Sequence, residues 1–562
     1  MQQLIECVPN FSEGRDPIII KHITDAIGSV PEVRLLNVDP GKATNRTVVT
    51  FVGEPQYVIE AAYRAIEAAG QVIDMRQHSG EHPRMGATDV CPLIPIANIS
   101  MEETVQYAQQ LAKRVGELLN LPVYLYEAAQ PNPARSNLSV IRAGEYEGLS
   151  SKIIQPEWKP DYGPAAFDER RGATVIGARD FLIAYNVNLN TTSVRRANSI
   201  AFDVREAGRV KREGDPITGK IVKDASGNPV TIPGSLKHTK AIGWFIEEYG
   251  IAQISMNLTN IRETPVHVAF DEVCKKAAER GIRVTGSELV GLVPLHAMLE
   301  AGKYFLRKQK RSVGVGEQEL IRIAVKSMGL DELAPFNPEE RIIEYMLKQD
   351  NPKALVNMSL KAFASETASE SPAPGGGSIA AYVGALGVAL GTMVANLSAH
   401  KKGWDSRWDE FSTWADQGQE LMQQLIQCVD EDTRAFNRIM EAMSLPKGTD
   451  AEKEKRQIAM DEATRYAIEV PFKVMQLCSR SFEIIEAMAQ TGNPNSVSDA
   501  GVGALCARAG VWGAYMNVQI NAAGFSDTGF TQQMLQKGKE MLSAAIEKEA
   551  AILKMVEEKI GT

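Results

Sequence analysis

The chain has 562 residues, 44% of them hydrophobic and 23% charged, with a formal net charge of −9. At roughly 150 residues per domain, that length holds three or four domains of ordinary globular composition. The acidic balance excludes a general nucleic-acid binder, which needs a dense cationic face, but leaves room for a local basic pocket for a small anion.

The chain opens on "MQQLIECVPNFSEGRD". It has neither a basic leader nor a long apolar run, so no signal peptide is expected. "LIECVPNF" reads as a strand, "DPIIIKHITDAIGSV" as a helix, "VRLLNVD" and "RTVVTFVG" as two strands, "PQYVIEAAYRAIEAAG" as a helix and "LPVYLYEAA" as a strand. That β-α-β-β-α-β order predicts a ferredoxin-like α+β unit.

Within this unit lies "HSGEHPRMGATD", residues 78–89, with two of the seven histidines, His78 and His82. Spaced by four, they would share one face of a helix and could bind a metal. Gly80 between them and Pro83 after His82 oppose a helix, because a residue before proline is pushed out of the α region. The stretch is therefore a loop and a zinc site is not expected. His82, Glu81, Arg84 and Asp89 suit acid–base chemistry near neutral pH. The competing reading is that both histidines only satisfy backbone groups in a turn, and local sequence leaves both open.

A second unit follows the turn-rich "DYGPAAFDERRGATVIGARD". It comprises the strand "FLIAYNVNLN", a helix near 192–209, the strands "AIGWFIEEYG" and "IAQISMNLTN", the helix "PVHVAFDEVCKKAAERG" and the strand "IRVTGSELVGL". This is the same element order, without a sequence repeat. Residues 213–235, rich in Gly, Pro, Asp and Lys, read as a loop or small hairpin.

Near residue 330 the strand signals end. Helical patterns cover 378–398, 405–444, 452–490, 500–523 and 530–560, with a kink expected at Pro471, and predict a helical bundle. Residues 372–399 carry no charge and are long enough to span a membrane. Their Gly, Ala and Ser content, and Gly387, Gly391 and Ala395 every four residues, instead predict a buried helix packed closely on its neighbours. In "LMQQLIQCVDEDTRAFNRIMEAM" the apolar residues Met422, Leu425, Val429, Phe436, Ile439 and Met443 form one stripe, and Asp432 fills its single gap. A carboxylate on a core-facing stripe is costly unless partnered or functional, and desolvation would raise its pKa toward a useful acid–base range. Pairing with Arg434 or Arg438, or burial at a dimer seam, are the structural alternatives. "PGGGSIAAY" offers backbone N–H groups at a helix start, suited to an anion or a carbonyl. "NPNSVSDAGVGA" is a polar loop entering a helix, with Ser498 or Asp499 as its cap.

The six cysteines, Cys7, Cys91, Cys274, Cys428, Cys478 and Cys506, form no CxxC pair. A reducing, cytoplasmic setting fits them better than a disulfide framework or zinc ribbon.

With these residues assembled, the chain resembles the bifunctional formimidoyltransferase–cyclodeaminase family. "ECVPNFSEGRD", "NRTVVTFVG", "HSGEHPRMGATDVCP", "GPAAFDERRGATVIGARDFLIAYNVNL", "PAPGGGSIAA", "DEDTRAFNRIMEAMSLPK" and "GVWGAYMNVQIN" carry the resemblance, in order, across both halves. It implies two reactions. The formimidoyl group moves between N-formimidoyl-L-glutamate and tetrahydrofolate, and 5-formimidoyltetrahydrofolate then closes to 5,10-methenyltetrahydrofolate with loss of ammonia. By the resemblance His82 is the transferase base, Asp39 its carboxylate partner and Asp432 the cyclodeaminase acid–base group. Gly163, Pro164, Ala165, Ala166, Phe167, Asp168, Glu169, Arg170, Arg171 and Gly172 form the folate-binding segment. The expected layout is α+β followed by all-α: two ferredoxin-like transferase subdomains over 1–180 and 181–326, a linker over 327–340, and a helical cyclodeaminase domain over 341–562. Tetrahydrofolate, polyglutamylated or not, is the carrier; no metal, nucleic acid or membrane is expected, and the chain is expected to form a homo-oligomer whose helical domain dimerises. Arg84, or the arginines at 170–179, are expected to hold the glutamate carboxylates. Residues 213–235 are longer than the matching loop of the family's animal members, so no folate contact is carried onto them, and 401–416 matches no motif. The alternatives are a single-activity folate-binding transferase and a non-catalytic folate-binding scaffold.

Overall fold

The computed structural model describes residues 3–41, 45–80, 83–215, 218–348 and 354–561. They form two compact units, Met1–Pro294 and Leu295–Thr562.

The first unit begins with β1 (Leu4–Cys7), β2 (Asn10–Phe11), α1 (Pro17–Gly28), β3 (Val33–Gly41), β4 (Arg46–Gly53), α2 (Pro55–Val72), β5 (Thr88–Ala97), α3 (Met101–Leu118) and β6 (Val123–Glu127). Two short helices, α4 (Leu138–Ile141) and α5 (Glu145–Lys152), precede β7 (Thr174–Ala178). Pro9 cannot donate to a ladder, so the predicted first strand is split into β1 and β2, which both pair with β4 and β5. The antiparallel order β5-β1-β4-β3 is that of a ferredoxin-like sheet. Its closing strand is β5, not "LPVYLYEAA". That stretch is β6, which joins through β7 in parallel and widens the sheet to seven strands. α1 starts where Asp16 accepts a hydrogen bond from Ile18 N and Pro17 takes the first helical position. Ser100 and Glu103 form a capping box on α3. Ile23, Ile27, Val58 and Leu111 of the helices are buried against Ile5, Phe51 and Leu93 of the sheet.

The second sheet is built from β8 (Ile183–Leu189), α6 (Val194–Val204), β9 (Arg209–Val210), β10 (Thr231–Ile232), β11 (Thr239–Ile246), β12 (Ile251–Leu258), α7 (Val266–Ala278) and β13 (Val284–Val290). Its order, β11-β12-β8-β13, is antiparallel throughout and again ferredoxin-like. Gly243 of β11 lets α6 approach closely, since a Cβ there would lie 2.4 Å from Asn198 N. The stretch at 213–235 is a small hairpin arm, with β9 pairing β10 and bridges at Arg212–Ile221 and Lys223–Pro229.

The second unit holds α8 (Leu295–Lys308), α9 (Glu317–Met328), α10 (Pro338–Arg341), α11 (Ile343–Lys348), α12 (Leu360–Thr367), α13 (Gly376–Ala399), α14 (Trp408–Ser444), α15 (Asp450–Thr491), α16 (Val497–Ala522) and α17 (Thr528–Ile560). The division between the compact units falls earlier than the boundary expected at 326, because the segment after Pro294 docks on the bundle. Val313 N donates to Ser412 Oγ (3.0 Å), Asn396 Nδ2 to Gly314 O (2.6 Å), and Lys303 pairs with Asp416 (2.7 Å).

α13 is long and apolar enough to cross a membrane, with a mean hydropathy of 1.8, yet 61% of that window is buried. It packs on α14, α15 and α16. Its small residues explain how: a Cβ on Gly384 would lie 2.3 Å from Cys478 Sγ, and one on Gly387 would lie 2.8 Å from Gly503 O. α15 runs 42 residues through Pro471 without a break. Proline has no N–H to give the carbonyl four residues back. That carbonyl, Ala467 O, is taken instead by Asn521 Nδ2 of α16 at 2.7 Å.

Candidate active sites

In the first unit three loops converge on Asn45, which is buried and left-handed at φ 46°. Its Oδ1 accepts from Gly14 N (3.0 Å), its Nδ2 donates to Ser79 O (3.0 Å), and its carbonyl accepts from His78 Nε2 (2.8 Å). His78 Nδ1 accepts from Arg84 Nε at 3.3 Å. Both ring nitrogens are thus engaged. Burial lowers the pKa of His78, the Asn45 carbonyl opposes that shift, and the Arg84 cation adds to it. A neutral imidazole with both nitrogens bonded tethers the loop and is not free to move protons.

His82 and its neighbour Glu81 lie outside the described residues. The flanks are described: Ser79, Gly80 and Arg84, with Gly144, Glu145 and Glu147, line a cavity of about 410 Å³. Arg84 is 8% exposed and forks onto Glu147 (2.7 and 2.9 Å), with Glu145 at 3.1 Å. Its hydrogen bonds hold the Glu147 carboxyl below its ordinary range. The Arg84 fork is occupied here by carboxylates of its own chain. Asp89 is fully buried; its Oδ1 accepts from Met85 N (3.0 Å) and Arg142 Nε (3.2 Å). It anchors the far end of the loop.

Asp39 is exposed near the end of β3, opposite Val48 in the ladder. Its charge acts on Arg46, as do Asp89 and Arg142, while burial pulls the Arg46 guanidinium below its usual pKa. Gly163 and Gly172 bound the predicted folate segment, both with positive φ (78° and 72°). A Cβ on Gly172 would lie 2.1 Å from Met85 O, so glycine there lets the segment run against the 83–87 turn. Asp168 accepts from Arg170 N and Arg171 N (3.0 and 2.8 Å), and Phe167 packs on Tyr146 with centroids 5.4 Å apart. Arg170 O accepts from Met75 N (2.9 Å) and Ala87 N donates to Arg171 O (2.8 Å). The histidine loop and the folate segment, about 80 residues apart in the sequence, are therefore neighbours. Arg171 pairs with Asp168 and donates to Leu119 O (2.8 Å); it also walls a second cavity, of about 260 Å³, with Gly70, Gln71 and Thr88. Ala165, Ala166 and Glu169 lie on the exposed side of the segment, and Pro164 is half-buried.

In the second unit Asp432 meets neither Arg434 nor Arg438. Its Oδ2 accepts from Ser378 N (2.9 Å) and Ser378 Oγ (3.1 Å) at the start of α13. No residue of α13 itself caps that N-terminus, so the carboxylate of α14 supplies the missing acceptor and the negative charge that a helix start favours. Of the "PGGGS" backbone donors, Ser378 N is thus taken by Asp432. A Cβ on Gly377 would lie 2.1 Å from Asp432 Oδ1, so only glycine admits this carboxylate. Burial raises the Asp432 pKa, and the two Ser378 hydrogen bonds draw it part of the way back.

The apolar stripe holds as core only through Val429. Phe436 and Met443 are 42% and 49% exposed, which places Asp432 at the boundary between core and surface. Sequence reasoning missed Glu431, whose carboxylate accepts from Lys473 Nζ (2.9 Å) and Tyr466 Oη (3.1 Å) on α15. The signal that could have found this neighbourhood is Pro471, because a proline inside a long helix demands an outside donor for Ala467 O.

A polar loop set against a glycine-bounded segment on an α+β scaffold, and a desolvated carboxylate in a helical bundle, are features of an enzyme. Three family descriptions match in order: "Formiminotransferase domain, N-terminal subdomain" over 4–179, "Formiminotransferase domain" over 184–348 and "Formiminotransferase-cyclodeaminase" over 359–540. The formimidoyltransferase-cyclodeaminase of Rattus norvegicus is 43% identical over 558 residues, 99% of each chain. The glutamate formimidoyltransferase of Thermoplasma acidophilum is 44% identical over 306 residues, 54% of this chain and 92% of that one. The methenyltetrahydrofolate cyclohydrolase of Methylorubrum extorquens is 35% identical over 205 residues, 36% of this chain and 99% of that one. The chain belongs to the formimidoyltransferase-cyclodeaminase family, as a bifunctional folate enzyme with a transferase half and a cyclodeaminase half.

Proposed function

We propose that the first unit transfers the formimidoyl group between N-formimidoyl-L-glutamate and N5 of tetrahydrofolate, with His82 as base and Asp39 as its partner, and that Asp432 then drives ring closure to 5,10-methenyltetrahydrofolate. Attack on an amidine carbon passes through a tetrahedral adduct. His82 takes the proton that N5 sheds and returns one to the departing glutamate nitrogen. Asp39 steadies the imidazole and its cation. The 163–172 segment, hydrogen-bonded to the histidine loop, holds the folate. Both steps exchange one carbon–nitrogen bond for another with the help of proton transfers, which side chains of this chain supply in a cytoplasmic setting of histidine breakdown.

The observation that carries this reading is the Asp432 carboxylate, desolvated yet held on one oxygen at a helix start. It is tested by giving the full chain N-formimidoyl-L-glutamate and tetrahydrofolate in the presence of a metal chelator. Glutamate, methenyl product and ammonia in equal amounts are expected. Glutamate release without ammonia, or activity that needs an added metal, would contradict it.

The helical unit also carries an apolar face suited to a second copy. Leu386, Met393 and Leu397 of α13 and Val502, Leu505, Trp512, Met516 and Ile520 of α16 are all more than a third exposed, on two helices in direct contact. Patches of this kind on a soluble chain mark interaction sites. A homo-oligomer is the expected result of analytical ultracentrifugation, and a monomer at micromolar concentration would remove this assignment.

A further inference from the structure

Ser378 stands where the helix start, the carboxylate of α14 and a backbone carbonyl meet. The residue is fully buried. Its N–H points at Asp432 Oδ2 (2.9 Å), and its hydroxyl lies between two acceptors, Val429 O at 2.9 Å and Asp432 Oδ2 at 3.1 Å. A hydroxyl has one proton and donates fully to one acceptor at a time. Both Ser378 contacts fall on Oδ2. Among the described residues Oδ1 accepts no hydrogen bond; it sits against Gly377, in the space that a side chain there would fill, 2.1 Å from the Cβ position.

We propose that Ser378 is a positioning residue of the cyclodeaminase site: it pins Oδ2 of Asp432, leaves Oδ1 as the oxygen that carries the proton, and turns its hydroxyl between Asp432 and Val429 O as the carboxyl loses and gains that proton. This rests on Asp432 being the acid–base group. The bond changes balance. As N10 attacks the carbon of the formimidoyl group in its amidinium form, N5–CH=NH2+, the N10–H bond breaks, an Oδ1–H bond forms and the amidinium nitrogen becomes the amino group of the adduct. The hydroxyl of Ser378, no longer drawn by a negative carboxylate, turns to Val429 O. The proton on Oδ1 then passes to the amino nitrogen of the adduct. The carbon–nitrogen bond breaks with its electron pair leaving on ammonia, and the carbon remains bonded to N5 and N10 as the methenyl cation. The hydroxyl of Ser378 returns to the restored carboxylate. The backbone N–H holds Oδ2 throughout, so the carboxylate does not swing.

Other ionisable groups near this point are Cys428 and Glu431 on α14 and Lys473 and Tyr466 on α15. Lys473 and Tyr466 are both bonded to Glu431. From α13 Ser378 bonds the carboxylate, and Asn517 Nδ2 of α16 would lie 3.5 Å from a Cβ on Gly376.

The test is the pH profile of cyclodeaminase turnover on supplied 5-formimidoyltetrahydrofolate for the full chain, S378A and S378C, with transferase turnover and thermal melting as controls. Losing the hydroxyl removes a bond that favours the charged carboxylate. In S378A the acid limb should therefore move to higher pH by roughly half a unit to one unit, with kcat down about tenfold. Cysteine, a weaker donor, should give an intermediate limb, and it carries the test if the alanine chain melts early. A slower enzyme whose limb stays in place, or moves to lower pH, would overturn the proposal and leave Ser378 a packing residue. D432N, assayed beside them, separates the two failures: if it still cyclises, the underlying assignment of Asp432 falls first.

Discussion

Asp432→Asn should lower ring closure by about 10²- to 10⁴-fold while leaving formimidoyl transfer intact, so that 5-formimidoyltetrahydrofolate accumulates. The substitution keeps the size of the side chain, and an amide oxygen can still accept from Ser378 N. What it loses is the ability to take a proton from N10. Fold loss is therefore a poor explanation for a dead variant, and an unchanged melting temperature with intact transfer would show this directly. The pH behaviour of the parent chain follows from the same carboxyl. Burial raises its pKa above the ordinary aspartate value, with Ser378 opposing part of the shift. A base is active only when ionised, so turnover should fall as pH drops through that raised value, at a higher pH than an exposed aspartate would give. Methenyl product formed by the Asn variant at the parent rate would reduce Asp432 to a buried helix cap.

How far the sequence led differs between the two halves for physical reasons. Asp432 was legible because a single polar residue in a 3-4-spaced apolar stripe is conspicuous. Its partner was not, because Ser378 lies 54 residues away on another helix, and the nearer arginines were the obvious candidates. The intrachain partner of Arg84 was hidden for the same reason: the carboxylate that fills its fork comes from Glu147, 63 positions on. Strand β5 was given no element; only its first two residues fall in the loop at 78–89. Nine of its ten residues are buried, so no in–out alternation marks it, as is usual for a strand covered on both faces. Both ferredoxin-like orders were legible as element sequences, but the strand that closes the first one was assigned one element too late. Helices of the bundle, with long periodic faces, fell within a few residues of their expected bounds. The stripe on α14 was extrapolated beyond the core, since periodicity shows which residues share a face and not where the neighbouring helices stop covering it.

His82→Ala should reduce formimidoyl transfer by about 10²- to 10⁴-fold and leave the closure of supplied 5-formimidoyltetrahydrofolate at its parent rate. The other histidine of the loop is already engaged. His78 has its Nε2 on Asn45 O and its Nδ1 on Arg84 Nε, and burial keeps it neutral. A ring fixed at both nitrogens cannot collect the proton of N5 and hand one to glutamate, so the base must be sought elsewhere in the loop. Arg84 and Asp89 are excluded as well, one a permanent cation forked on Glu147, the other a fully buried anchor for Met85 N and Arg142. By the family resemblance His82 is the base, and its flanks Gly80 and Arg84 border the 410 Å³ cavity. Measuring glutamate release and methenyl formation separately on the same preparation decides the matter. Loss of transfer alone assigns His82 to the first reaction. Equal loss of both in a folded variant would mean that the two halves do not divide the chemistry as proposed, and transfer at the parent rate would move the base to another residue.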